Sequence, residues 1–293
     1  MTDAQRTPTP IDTIADAWVD TLAEREPTLA TYIGRFEHNG RFGDYSPEGA
    51  EALITDARST RAALEAADAV DSIDAVTKMD LGRELDLMVE QHEAKTHLRD
   101  LNVIASPSQD IRAAFDLMPT DTVEDWSVIA TRLAAIPTAL AGYIETLRVG
   151  IAEGVVPARR QVREVVTQIA RYTSDTGFFA AFVGDAAPAE GHLPASLARE
   201  LADNAGAARV AYDHLAGFLR DELAPVAGET DAVGRELYAL HSRRFLGATI
   251  DLDETYDWGV EELARMVAEQ ERIADEILPG ATVEEAVAFL EQD

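Results

Sequence analysis

The 293-residue chain carries 54 acidic and 25 basic side chains, giving a formal charge of −29 at pH 7 and a pI near 4.4. So little basic charge excludes a general nucleic-acid binder, because phosphate neutralisation needs a basic face; an anionic membrane surface repels the chain for the same reason. A hydrophobic fraction of 46% is too high for a solvated acidic tail and supplies a core for one large domain or two smaller ones.

Lys78 and Lys95 are the only lysines beside 23 arginines. With alanine abundant throughout, that bias fits a GC-rich bacterial genome; salt adaptation is the alternative source of the acidity. The chain has no cysteine, which excludes disulfides, thiolate catalysis and Cys-ligated metals. Residues 1–10 read as a polar tail without the basic-then-apolar pattern of a signal peptide. The longest nearly apolar run, 133–144, is about half a membrane span and contains Pro137. These features predict a cytoplasmic protein with no membrane and no nucleic-acid partner.

In chain order, Thr9 and Pro10 open a helix with Ile11, Ile14, Trp18 and Leu22 on one face, and Pro27 interrupts it. Residues 35–46 read as a loop. Ser46, Pro47 and Glu48 start a second helix that buries Leu53, Ile54, Ala57 and Leu64. A long helix over about 72–98 follows, with Leu81, Leu85, Met88 and His92 in a stripe. A turn at 102–108 leads to a short helix at 109–117, stopped before Pro119. Thr122 and Asp125 form a capping-box pattern ahead of a helix through Trp126, Ile129 and Leu133, which Pro137 kinks or splits from the next. Gly154 is a stop and Pro157 a new start, leading through Val162, Val165, Val166 and Ile169. Further helices are predicted after a loop at 184–194, over 230–246, from the acids Asp251, Asp253 and Glu254 to about 278, and from Thr282 onward. No period-2 pattern appears. The fold class predicted is all-α, an irregular array of about ten or more helices over 11–293 without a substantial sheet, with a subdivision near 184–194.

Two motifs suggest metals, and one fails on spacing, the other on a residue type. His92 and His97 are five positions apart, about 140° around a helix, so on one helix their rings point to different sides and cannot share a zinc. His92 instead reads as a hydrogen-bonded histidine near the core. Asp251, Asp253, Thr255, Asp257 and Glu262 match calcium-loop spacing, but Tyr256 stands where the loop needs glycine, and helix capping explains the acids more simply. Arg159 and Arg160 form a basic pair in a first helical turn, where the dipole disfavours cations, which points to an anionic ligand or a carboxylate partner. Tyr238, Tyr256 and Trp258 cluster near two helix ends, with packing as their default role. Phosphate loops and nucleophile elbows are absent.

Several passages resemble a bacterial family, domain-of-unknown-function family 885. They are 143–145 with 150–154 and 157–162, then 97–102 with the Ser106-Pro107 turn. The nearest is 233–238 followed by 245–248 and 253–259 (VGRELY, FLGA, DETYDWG). The resemblance runs over essentially the whole chain from about Ile11. It implies a mainly helical protein similar to gluzincin-type metallopeptidases, with members about twice this length. Their zinc-binding His-Glu-x-x-Pro-Gly-His pattern lies in the second half, and nothing here matches it. The resemblance therefore implies an N-terminal half that carries no zinc ligand or general base and is inactive alone. Zinc would be held by the missing C-terminal catalytic half, its partner, with a peptide or small amide as substrate. This half would form one wall of the substrate cleft, with Arg159, Arg160, Tyr238, Tyr256 and Trp258 as candidate wall residues. The alternative is a stand-alone acidic helical binding or scaffold protein without catalysis; a cytoplasmic calcium or metal binder using its acids is a third reading.

Overall fold

A computed structural model describes residues 6–189 and 191–292. Helices dominate, and the described residues contain no sheet; one isolated parallel bridge joins Ala158 and Gly228. The fold is all-α, as the periodicity predicts. The chain forms two compact units, Met1–Val233 and Gly234–Asp293. The loop at 184–194 joins two helices of the first unit, so the division falls about forty residues later than the predicted subdivision, at a glycine with φ of 89°.

The first unit begins with α1 (Pro10–Arg25), whose Thr9 and Asp12 exchange the two hydrogen bonds of a capping box. The segment ahead of it is tied down from Arg6 onward: the Arg6 guanidinium pairs with Asp12, Asp71 and the buried Asp74. Residues 1–5 of the predicted polar tail lie outside the described residues. A short α2 (Pro27–Tyr32) is followed by α3 (Pro47–Ala66) and α4 (Ser72–Glu93). Ile11, Trp18, Ala57, Leu64 and Leu85 meet in a small core between α1, α3 and α4.

The predicted helix over 72–98 stops early. Lys95 takes a left-handed conformation (φ 57°), which ends α4, and a 3-10 turn covers Thr96–Arg99. After α5 (Pro107–Ala113) comes the central element, α6 (Val123–Glu153), a 31-residue helix. Pro137 lies inside it and does not split it. The missing N–H costs one ladder bond, but Leu133, Ile136, Ala139 and Leu140 on both sides are buried and hold the two turns in register. By length and composition α6 could cross a membrane, whereas its apolar run alone looked too short; in this fold its apolar side chains make the core.

Gly154 (φ 72°) terminates α6. Then come α7 (Arg159–Thr173), α8 (Phe178–Gly184) and α9 (Ala195–Phe218); α9 packs along α6, α7 and α8 pack on α9, and α9 runs into a π-helical turn at Leu219–Leu223. Ile129, Leu133, Leu140, Val165, Ile169, Phe179, Leu201 and Tyr212 belong to this main core. The second unit contains α10 (Arg235–Leu246), α11 (Leu252–Ile277) and α12 (Val283–Leu290). α10 starts at Arg235 and not at 230, because Gly234 sits at a φ that a right-handed helix excludes.

Candidate functional site

The sequence between α6 and α7 explains the two arginines placed against the dipole. Ala158 bridges Gly228, and the Arg159 N–H donates to the Gly228 carbonyl (2.7 Å). This sets the start of α7 beside the end of the π-helical turn. The Arg159 side chain then donates from Nε to the Ala224 carbonyl and from Nη2 to the Ala227 carbonyl, both at 3.0 Å, and pairs through Nη1 with Glu229. A helix C-terminus leaves carbonyls unsatisfied and favours a cation. Arg159 is unfavourable for its own helix and favourable for the neighbouring one. Arg160 pairs with Asp231 (3.0 Å) and is otherwise exposed.

Beside Arg159 a pocket of about 500 Å³ opens between α7 and the π-helical turn. Val162, Val166 and Ala224 give it apolar walls, and Arg163 and Arg220 join Arg159 around it. Arg163 follows Arg159 by four positions and so shares its face of α7; that much is legible in the sequence. Arg220 is brought there only by tertiary structure, on the π-helical turn closed by the Ala224 N–H to Leu219 carbonyl bond (2.8 Å). Neither Arg163 nor Arg220 was singled out from sequence.

Tyr238, Tyr256 and Trp258 belong to the second unit and are 59%, 72% and 63% exposed. Arg235 forks onto Asp253 with two 2.8 Å bonds, tying the start of α10 to the first turn of α11. The Asp251 carboxylate accepts from the backbone N–H groups of Asp253 (2.9 Å) and Glu254 (3.1 Å), so it is the cap that the acid cluster suggested. Tyr256 and Trp258 lie two residues apart on one helix and face about 200° from each other. Tyr256 heads a stripe with Val260, Leu263 and Val267, spaced four, three and four residues apart, and all four are exposed. Of the 26 residues in α11, only Ala274 is buried. The 4-3-4 spacing is visible in the sequence; that the stripe is left uncovered is not.

His92 and His97 correct the spacing argument. Because α4 ends at Glu93 and Lys95 reverses the chain, the two rings stack face to face, with centroids 4.4 Å apart and planes 2° apart. The His92 Nε2 lies 3.1 Å from the Glu51 carboxylate. The His97 Nδ1 is buried without a hydrogen-bond partner, and burial, helped by His92, pushes the His97 imidazole down to about 4. Even so, no group of three or more His, Asp or Glu among the described residues could hold a metal ion. The described residues therefore do not fit a zinc site.

Fold and site together define an all-α protein of two helical units whose polar clusters are capping and pairing arrangements. The chain belongs to a family of bacterial proteins of unknown function, DUF885, whose profile matches residues 27–293. Two solved structures have similar folds. One, from Colwellia psychrerythraea and described as a "putative lipoprotein", matches with a TM-score of 0.73 at 17% identity, over 98% of this chain and 55% of that one. The other, a "putative lipoprotein of unknown function" from Shewanella oneidensis, matches at 0.67 and 16% identity, over 97% of this chain and 52% of its own length. The chain thus spans about half the length of these structures. No curated protein matches it.

Proposed function

We propose that this chain is the N-terminal helical half of a zinc-dependent peptidase or related amide hydrolase of the cytoplasm, forming one wall of the substrate cleft. The metal and the general base come from a C-terminal half, and the substrate is a peptide or small amide. The observation that supports this reading is the exposed face of the second unit. Val260, Leu263, Met266, Val267 and Ile273 on α11 are 41–63% exposed, and Val287, Phe289 and Leu290 on α12 are 48–54% exposed. Leaving a large apolar side chain in water instead of burying it forfeits about 1.5–3 kcal/mol each, and a patch of this kind marks an interaction surface. The matched structures are almost twice as long as this chain, which supports a further half as the covering partner.

Of the five candidate wall residues, Arg159 has its donors engaged by two carbonyls and Glu229 and serves to hold α7 in place. Tyr238, Tyr256 and Trp258 are exposed, and a phenol hydroxyl there can donate to a peptide carbonyl or to the oxyanion that forms from it.

The test is complementation. The C-terminal half of a full-length family member, carrying the His-Glu-x-x-Pro-Gly-His pattern, is expressed with this chain, and peptide hydrolysis is followed with and without added zinc. A stable complex with zinc-dependent hydrolysis, and no hydrolysis by this chain alone, is the expected result. Hydrolysis by the isolated chain would overturn the assignment. So would full-length relatives that hydrolyse no peptide or amide, an outcome that favours the non-catalytic scaffold.

A further inference from the structure

We propose that the pocket between α7 and the π-helical turn binds a carboxylate carried on an apolar chain, with Arg163 and Arg220 taking the carboxylate and Val166 and Ala224 taking the chain. The inference rests on the first unit alone and is independent of the peptidase reading.

The charge distribution is the first argument. Acids outnumber bases by more than two to one in this protein, and the arginines near the pocket show the effect. Arg148 pairs with Glu222, Arg159 with Glu229 and Arg160 with Asp231. Arg163 and Arg220 line the same pocket, yet neither forms an ion pair or a side-chain hydrogen bond with any described residue. Two unneutralised guanidinium groups facing one concavity repel each other and attract an anion, and the attraction is strengthened where low-dielectric walls confine the field. Guanidinium forks match a carboxylate in geometry as well as charge.

The walls supply the second argument. A pocket lined only by arginines would suit a small inorganic anion, but here valine, alanine and proline side chains form the rest. Val162 is fully buried beneath the floor, so the base of the pocket is fixed by the core. At about 500 Å³ the space is within the range of roughly 300–1,000 Å³ usual for small-molecule sites. The third argument is local geometry. Arg220 stands on a π-helical turn, a departure from regular helix that is frequent at functional sites. Arg159, held by two carbonyls and a carboxylate, keeps the end of that turn against α7.

This chemistry has two natural sources, a fatty acid and the C-terminus of a peptide ending in an apolar residue. Calorimetric titration of the full chain with decanoate and with N-acetyl-leucyl-valine, each beside its primary amide, separates them. Binding of decanoate alone supports a fatty-acid site; binding of the dipeptide alone, or of both, supports a site that includes peptide C-termini. In each supported case the amide binds at least about tenfold more weakly, and Arg163→Gln and Arg220→Gln each weaken binding by about tenfold or more. Arg199→Gln, which removes one exposed arginine from α9 outside the pocket, leaves binding unchanged. Both pocket arginines are exposed, so the variants keep the wild-type circular dichroism. The proposal is overturned if neither carboxylate binds at millimolar concentration, if an amide binds as well as its acid, or if the two pocket variants bind like wild type.

Discussion

Arg159 stands where its own helix dipole disfavours a cation, and the conflict disappears once the segment after the π-helical turn packs beside it: the same guanidinium closes the carbonyls of Ala224 and Ala227. Arg132 is the opposite case. It is fully buried on α6, donates from Nη1 to Thr31 Oγ1 (2.8 Å) and lies over the Phe42 ring at 4.8 Å, while Nε and Nη2 have no partner. Burial pushes its pKa down to about 10. A charge buried with so little compensation costs several kcal/mol, so Arg132→Met, which keeps the volume, is expected to leave the melting temperature unchanged or raise it. Thermal unfolding checks this; a drop of several degrees would show that the cation is stabilising. His97 gives a pH prediction. Its imidazole takes a proton near pH 6.5 when unfolded and only near 4 when folded, so between these values the unfolded chain holds more protons. The His97 contribution is therefore intact above pH 6.5 and is lost as pH falls toward 4. Urea unfolding of wild type and His97→Phe at pH 7 and pH 4.5 should show a smaller acid-side loss in the variant, by roughly 1–2 kcal/mol after the partial exposure of the ring is discounted. Identical pH dependence in the two proteins would refute this assignment.

At the scale of elements, α6 organises the first unit, and its close contacts depend on small residues. A Cβ on Gly150 would stand 2.7 Å from the Val155 carbonyl oxygen and nearer still to that of Leu98. Both obstacles are backbone, so Gly150→Ala should cost about 1–3 kcal/mol, measured by urea unfolding, although alanine is the better helix former. A stabilised variant would mean that the turn at Thr96–Arg99 gives way easily. The clamp on α1 makes a second element-level test. Asp74 is buried and accepts from Thr9 Oγ1 (2.8 Å) and the Val70 N–H (3.0 Å) as well as pairing with Arg6. Removing Arg6 leaves that buried carboxylate without its cation, so Arg6→Ala should lower the stability of the first unit and speed amide exchange at the start of α1 first. Uniform exchange rates along α1 would count against the clamp. The cap patterns behind these elements, Thr9 with Asp12 and Thr122 with Asp125, were readable directly, because a cap needs only residues within one turn.

For the whole molecule, composition and the uncovered face make separate statements. A charge of −29 spread over the surface favours solubility and opposes self-association. The stripe of Tyr256, Val260, Leu263 and Val267 works against it. Replacing Leu263 and Val267 together by glutamate should leave the helical content unchanged, since neither side chain is buried. It should also abolish any complex with the C-terminal half of a family member, as read by size-exclusion chromatography. Unchanged complex formation would place the contact elsewhere.

By itself the sequence determined the fold class, most helix starts and the family. Each depends on local spacing: a 3.6-residue apolar period, a hydroxyl three positions before an acid, a proline in a first turn. Tertiary structure alone decided that Pro137 stays within one helix, because burial on both sides outweighs one lost hydrogen bond. It alone stacked His92 on His97, since one left-handed residue, Lys95, undid an angle valid only for a continuous helix. It also decided which arginines are spent and which are left over. Beside the pocket, Arg148, Arg159 and Arg160 pair with Glu222, Glu229 and Asp231, far along the chain, and those distances exist only once the core around α6 has formed.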